Sequence, residues 1–179
     1  MELGMGLGAG TVELRMDFDP FFHAHFEKVA RAAALVTRDA AAGQDLAQEA
    51  FMRLLERWGT MESDDHARNF AFKVAVNLAR SHLRKHGRLS LYGLRGPDSP
   101  GTTSPTGSSD SWLEMTDALG ALSPRQRACV VLVDYVDMDS AGAAAVLGMS
   151  AGTVRVHLMR GRRALRGALG LTQGEEEEA

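Results

Sequence analysis

Two stretches of the 179-residue chain concentrate side chains able to grip a polyanion. Between His66 and Pro97 stand Arg68, Lys73, Arg80, Arg84, Lys85, Arg88 and Arg95, with no acidic residue among them. Between Ala151 and Gln173 stand Arg155, Arg160, Arg162, Arg163 and Arg166, again with no acid. The formal net charge is −3 and the pI near 6.1, so the remaining segments are acidic and each run is a local stripe. A cationic stripe neutralises phosphates and releases their counterions. One such run is as often just a solvated helix face; two in separate segments make nucleic acid the expected ligand. Phe70 and Asn77 lie among the cations of the first run. The arginines of the second run carry paired donors that match the two acceptors of guanine in the major groove.

Other chemistries find little support. His82 and His86 are four apart, as metal ligands on one helix face can be, but no carboxylate or cysteine lies near them in sequence. His23 and His25, two apart, point to different sides of a helix. Cys129 is the one cysteine, which excludes an intrachain disulfide and is expected to be a small buried hydrophobe. No phosphate-binding loop, dinucleotide fingerprint or Ser/His/Asp set occurs. The expectation is therefore no enzyme, no metal and no cofactor. No apolar run approaches the roughly 18 residues of a membrane span. Gly-rich Met1–Gly10 lacks a charged segment followed by an apolar one. We expect a cytoplasmic protein without membrane insertion, with Met16 a candidate translation start.

The stripes must be carried by helices. Alanine is abundant and β-branched and aromatic residues are sparse, a balance that favours helix over sheet. Phe18, Phe21, Phe22 and Phe26, with Val29, Ala30 and Ala33, predict one buried helical stripe. A second helix is predicted from about Gly43 to Trp58 on Leu46, Ala50, Leu54 and Trp58, broadened by Phe51 and Leu55. A third follows, with Asp64 and Asp65 as candidate caps and an end near Gly87. Gly93 to Asp110 is Gly-, Ser-, Thr- and Pro-rich and reads as a flexible linker. Beyond it, a helix over Trp112–Leu119 precedes one capped by Ser123 with Pro124 at its first position. Asp139–Leu147, the turn Gly148-Met149-Ser150 and Ala151–Leu169 form a helix-turn-helix pattern. Its core is expected to hold Ala144, Val146, Leu147, Val154, Leu158 and Leu165. The fold class is all-α. The expected organisation is a disordered N-terminus (1–15), a helical domain (16–90), a flexible linker (91–111), a helix-turn-helix domain (112–171) and a solvated acidic tail (172–179).

Three segments, in this order, resemble the extracytoplasmic-function sigma factors of bacterial RNA polymerase. They are DLAQEAFMRLLERW (Asp45–Trp58), RNFAFKVAVNLARSHLRKHGR (Arg68–Arg88) and LSPRQRACVVLVDYVDMDSAGAAAVLGMSAGTVRVHLMRGRRALR (Leu122–Arg166). The first two resemble the family's second conserved region and the third its fourth. The resemblance implies a factor that binds the largest subunits of core RNA polymerase and directs initiation at particular promoters. It implies a polymerase-binding set in which Asp45, Gln48, Glu49, Arg53 and Arg57 make polar contacts and Leu46, Phe51 and Leu54 pack. Arg68, Phe70, Lys73, Asn77 and Arg80, followed by Arg84 and Lys85, would bind the melted −10 strand. The helix-turn-helix would read the −35 duplex: Arg155, Val156, His157, Met159 and Arg160 towards bases, Arg162, Arg163 and Arg166 towards the backbone, and Thr153 as a phosphate contact. Promoter DNA and core polymerase are the implied partners, with an anti-sigma factor a candidate third. Phe70 stands where the family usually has Trp, and Val156 and His157 replace its common Ser and Arg, so the −35 preference is expected to differ. The rival reading is a stand-alone helix-turn-helix regulator, which would bind its duplex site without polymerase.

Overall fold

The structure, a computed structural model, describes residues 17–91 and 110–171. The expectations for the N-terminus, most of the linker, the acidic tail and the His86 and Arg88 side chains lie outside that description. Every regular element among the described residues is helical.

Helix α1 spans Phe18–Thr37. It ends where the Thr37 hydroxyl turns back to the Ala33 carbonyl (2.9 Å) and Arg38 takes a left-handed conformation, φ 63°. The Arg38 N–H then donates to the Ala34 carbonyl, 2.7 Å, closing the orphan carbonyls of the last turn. The Asp39 carboxylate accepts from Ala42 N, 3.0 Å, so α2 begins at Ala40, three residues before the predicted Gly43, and runs to Leu55. Trp58 lies beyond it, in a 3₁₀ turn over Trp58–Thr60, yet it still closes the aromatic cluster. Its ring meets Phe18 edge-on at 5.1 Å, and Phe21 at the same distance. Phe51 of α2 sits within 6.4 Å of Phe18, Phe21, Phe22 and Phe26. Only Phe21 of the four is fully buried; the others cover the cluster's edge. Leu55, expected in the stripe, is 54% exposed.

Helix α3 spans Asp64–Leu91, past the Gly87 stop. Its cap is Ser63, whose hydroxyl accepts from His66 N at 3.2 Å. Asp64 and Asp65 instead occupy the first turn, where negative charge suits the helix dipole.

The second group begins with α4, Asp110–Gly120. Ser123 and Gln126 form a reciprocal capping box for α5, Pro124–Val130, with Pro124 in the first turn as expected. The chain continues through a π-helical turn, Val131–Tyr135. Asp139 caps α6, Ser140–Leu147, through Gly142 N at 2.7 Å. Gly148 ends α6 at φ 67°, a conformation glycine adopts without Cβ strain. Ser150 caps α7, Ala151–Ala168. Helices α6 and α7 are the helix-turn-helix. Val154 and Leu158 are buried in it, and Leu165 is half-buried.

Helices α1, α2 and α3 pack on one another, and α7 packs on α5 and α6. The two groups also meet: α1 touches α5 and the 131–135 turn, and α3 touches α5 and α6. Their buried side chains belong to one continuous apolar cluster. Cys129 is wholly buried within it, as expected.

Candidate nucleic-acid interface

Burying Val154 and Leu158 leaves the opposite face of α7 in solvent. Arg155, Arg160 and Arg163 are exposed, with Val156 43% and Met159 55% exposed between them. An apolar pair this open among arginines can contact base edges such as a thymine methyl. At the helix start the Ser150 hydroxyl accepts from Thr153 N, 3.1 Å, and shares a hydrogen bond with the Thr153 hydroxyl, 2.8 Å. His157 is half-buried, and its Nδ1 is enclosed without a partner. Arg162 is exposed but paired with Asp134 of the π-helical turn, Nε to Oδ2 3.1 Å with Nη2 on the other oxygen. That hydrogen bond raises the guanidinium pKa further. The guanidinium expected on a phosphate thus already has an acidic partner, and Asp134 is the residue sequence reasoning missed.

On α3, Arg68 pairs with Asp65 at 2.9 Å. The Arg57 guanidinium lies over the Phe70 ring, 5.8 Å from its centre, within cation–π range. Phe70, Lys73 and Asn77 line a groove of about 360 Å³ with Arg53, Val74, Leu78 and Ser81. Arg84 and Lys85 are exposed, and Arg84 donates to the Ser81 hydroxyl at 3.2 Å. Asn77 and Arg80 differ from the others, because both point at the helix-turn-helix. Asn77 Nδ2 donates to the Val146 carbonyl (3.2 Å), and Arg80 Nη1 to the Leu147 carbonyl (3.1 Å) and to Asn77 Oδ1 (3.3 Å). Burial lowers the Arg80 pKa, and the charges of Arg84 and Arg125 lower it further.

On α2, Asp45, Gln48 and Arg53 are exposed and Leu46 is half-buried, and Arg57, just beyond the helix, is exposed as well. Glu49 pairs with Arg53 at 2.9 Å. Phe51 and Leu54, expected at the polymerase contact, are instead enclosed in the protein's own core, 2% and 0% exposed, so they support the helix from beneath and do not reach a partner. The apolar side chains that reach outward are Met52, 63% exposed, and Leu55. FMRLL reads as one broadened stripe in sequence, which hid the offset of one residue that separates the two faces.

Among the described residues no group of three or more His, Cys, Asp or Glu side chains could hold a metal ion, and no helix is long and apolar enough to cross a membrane.

Residues 21–89 match Sigma-70 region 2, and residues 112–165 match Sigma-70, region 4. The chain is 32% identical over 151 residues to the RNA polymerase sigma-E factor of Streptomyces coelicolor, covering 84% of this chain and 85% of that protein. The chain belongs to the extracytoplasmic-function sigma factors. It is also 29% identical to the RNA polymerase sigma factor CarQ of Myxococcus xanthus, covering 86% of this chain and 89% of that one. Among solved structures its fold resembles the sigma factor RpoE of Bartonella quintana, determined in complex with the anti-sigma factor NepR. The TM-score is 0.73 at 22% identity, over 88% of this chain and 99% of that one. CnrH, determined with the cytosolic domain of CnrY, gives a TM-score of 0.59 at 23% identity, over 87% and 89% of the two chains. This sigma factor thus recognises promoters as part of RNA polymerase, and the stand-alone regulator is not favoured.

Proposed function

We propose a division of labour among three helix faces of this sigma factor. Residues 16–90 form a domain in which α2 docks on core polymerase through Asp45, Gln48, Glu49 and Arg53, with Met52 and Leu55 as apolar contacts. In the same domain, α3 holds the melted −10 strand through Phe70, Lys73, Asn77 and Arg80. Residues 112–171 form a second domain that sets α7 in the major groove of the −35 duplex, with Arg155, Val156, Met159 and Arg160 at base edges and Arg163 and Arg166 on phosphates. What supports this reading is the pair of cationic runs, each without an acidic residue in its sequence, on two differently built helices. One has an aromatic residue among its cations; the other is the second helix of a helix-turn-helix. The protein is an initiation factor and no catalytic role is proposed. It works where polymerase and chromosome are, in the cytoplasm. The sigma factor RpoE of Bartonella quintana was solved in complex with an anti-sigma factor, and an anti-sigma factor is the proposed third partner here.

Two sets of variants separate these roles in run-off transcription with reconstituted polymerase. Arg160→Ala is expected to weaken use of the −35 element by about 1–3 kcal/mol, the worth of one good base contact, with polymerase association unchanged. Arg163→Ala should weaken all promoters alike and reduce the salt dependence by about one phosphate. Asp45→Ala with Gln48→Ala should lose polymerase association instead. If Arg160→Ala abolished polymerase association, the assignment of faces would be wrong.

A further inference from the structure

Helix α7 carries five arginines and no acidic residue of its own, but an acid reaches it from another segment. Arg155, Met159, Arg162 and Arg166 stand at i, i+4, i+7 and i+11, the spacing of one stripe along a helix. Arg162 is therefore in line with a residue assigned to bases and one assigned to phosphates. It lies about 10 Å beyond Arg155 along the helix axis. When the first turns of a recognition helix reach base edges, side chains that far along meet the strand backbone.

Asp134 takes that guanidinium first. Its two carboxylate oxygens accept from Nε and Nη2 of Arg162, a two-point fork that fixes direction as well as adding strength. The same hydrogen bond pushes the guanidinium pKa up, so the charge persists but is answered. The side chains of Arg162 and Asp134 are 48% and 35% exposed, and an ion pair this open adds little to folding. Among the described residues no other arginine of α7 is ion-paired. Asp134 lies where the chain after α5 changes to π winding, with Val136 N on the Val131 carbonyl at 3.0 Å. Such turns are rare and recur at functional sites.

We propose that Asp134 is a brake on sequence-independent duplex affinity: it holds Arg162 away from phosphate, so the −35 domain grips DNA with one cation fewer than α7 carries. Arg162 gains nothing by leaving its partner. A guanidinium that moves to a phosphate releases one cation from the DNA, but the freed carboxylate, now beside the strand, attracts one in return. Arg155 and Arg160 keep their base contacts, so sequence carries a larger share of the total affinity. That matters to a factor that must find few promoters among a vast excess of competing sites. Asp134 acts through Arg162 and is a positioning residue. The inference rests on the assignment of α7 to the −35 duplex.

The test is binding of the full-length protein to a random-sequence DNA duplex, followed by fluorescence anisotropy from about 50 to about 200 mM salt. Phosphates are the same in every sequence, so the promoter need not be known. Asp134→Asn keeps the side-chain shape and removes the charge. It is expected to steepen the log–log salt dependence by about 0.9 and to tighten binding roughly eightfold at about 0.1 M salt, the worth of one released counterion. Combining Asp134→Asn with Arg162→Ala should return both quantities to the wild-type values. Arg163→Ala, which removes a phosphate contact, should flatten the slope by about 0.9. If Arg163→Ala flattens the slope and Asp134→Asn leaves it unchanged, the brake is overturned and the assignment of α7 stands. If neither variant changes the slope, or no protein binds even at the lowest salt, the assignment of α7 falls and the brake with it. A gain that survives in the double variant would overturn the part given to Arg162. Weaker duplex binding by Asp134→Asn, with a lower midpoint of thermal unfolding, would make the pair a strut for α7 and overturn the brake.

Discussion

Replacing Arg127 with methionine is expected to lower stability by about 3 kcal/mol. Arg127 is 6% exposed and donates to three carbonyls: Leu119 (3.0 Å), Leu122 (3.1 Å) and Val36 (3.0 Å). Burial, reinforced by the charge of Arg38, lowers its pKa to about 10, so it remains a cation at neutral pH. Methionine fills much of the aliphatic volume and removes a buried charge, which offsets part of the loss. It also strands acceptors in a dry interior, at about 1–3 kcal/mol each, and three acceptors outweigh the relief. For a chain of this size the midpoint of thermal unfolding should fall by about 10 °C. An unchanged midpoint in calorimetry would mean that water reaches those carbonyls and that Arg127 does not tie the loop after α4 to α1.

Gly43→Ala is expected to destabilise as well, against the usual rule. Alanine in a helix interior ordinarily gains about 0.5–1 kcal/mol over glycine. Here an added Cβ would stand 2.5 Å from Ala34 Cβ and 2.7 Å from the Ala30 carbonyl oxygen. Neither neighbour is a flexible side chain that can swing aside, so α1 and α2 must move apart. Overpacking of this kind costs about 1–3 kcal/mol, and the expected net loss is about 1 kcal/mol, or about 3 °C in the unfolding midpoint. Gly59→Ala, where nothing lies within 4 Å, is the control that should leave stability nearly unchanged. A rise in midpoint for Gly43→Ala would show that α1 and α2 pack less closely than the structure has them.

How far these features could be read in the sequence depends on whether they are local. The capping box at Ser123, the Asp139 and Ser150 caps and the Gly148 turn involve residues within about four positions of one another, and residue type settles them. The cationic runs were equally plain, because the absence of acids over long windows needs no tertiary information. What escaped notice depends on contacts between distant segments. Arg162 looks like every other arginine of α7 until Asp134, 28 residues away, is seen to hold it. Arg127 reads as one more surface cation of a short helix, and only its contact 91 residues away, at Val36, shows it to be internal. Met52 and Leu55 were hidden by their neighbours Phe51 and Leu54, because a stripe two residues wide has no sign of which edge faces out. Gly43 was read as a helix start, although its role is to let a neighbouring helix come close.

The central claim is that two helical domains deliver one polymerase to two promoter elements. The most direct test is to mix the purified full-length protein with bacterial core RNA polymerase, isolate the complex by size exclusion, and run transcription on a fragmented genomic library. A stable complex that initiates at a discrete set of start sites, sharing one sequence near −10 and another near −35, is the expected result. No complex, with tight binding of the free protein to a duplex site, would contradict it.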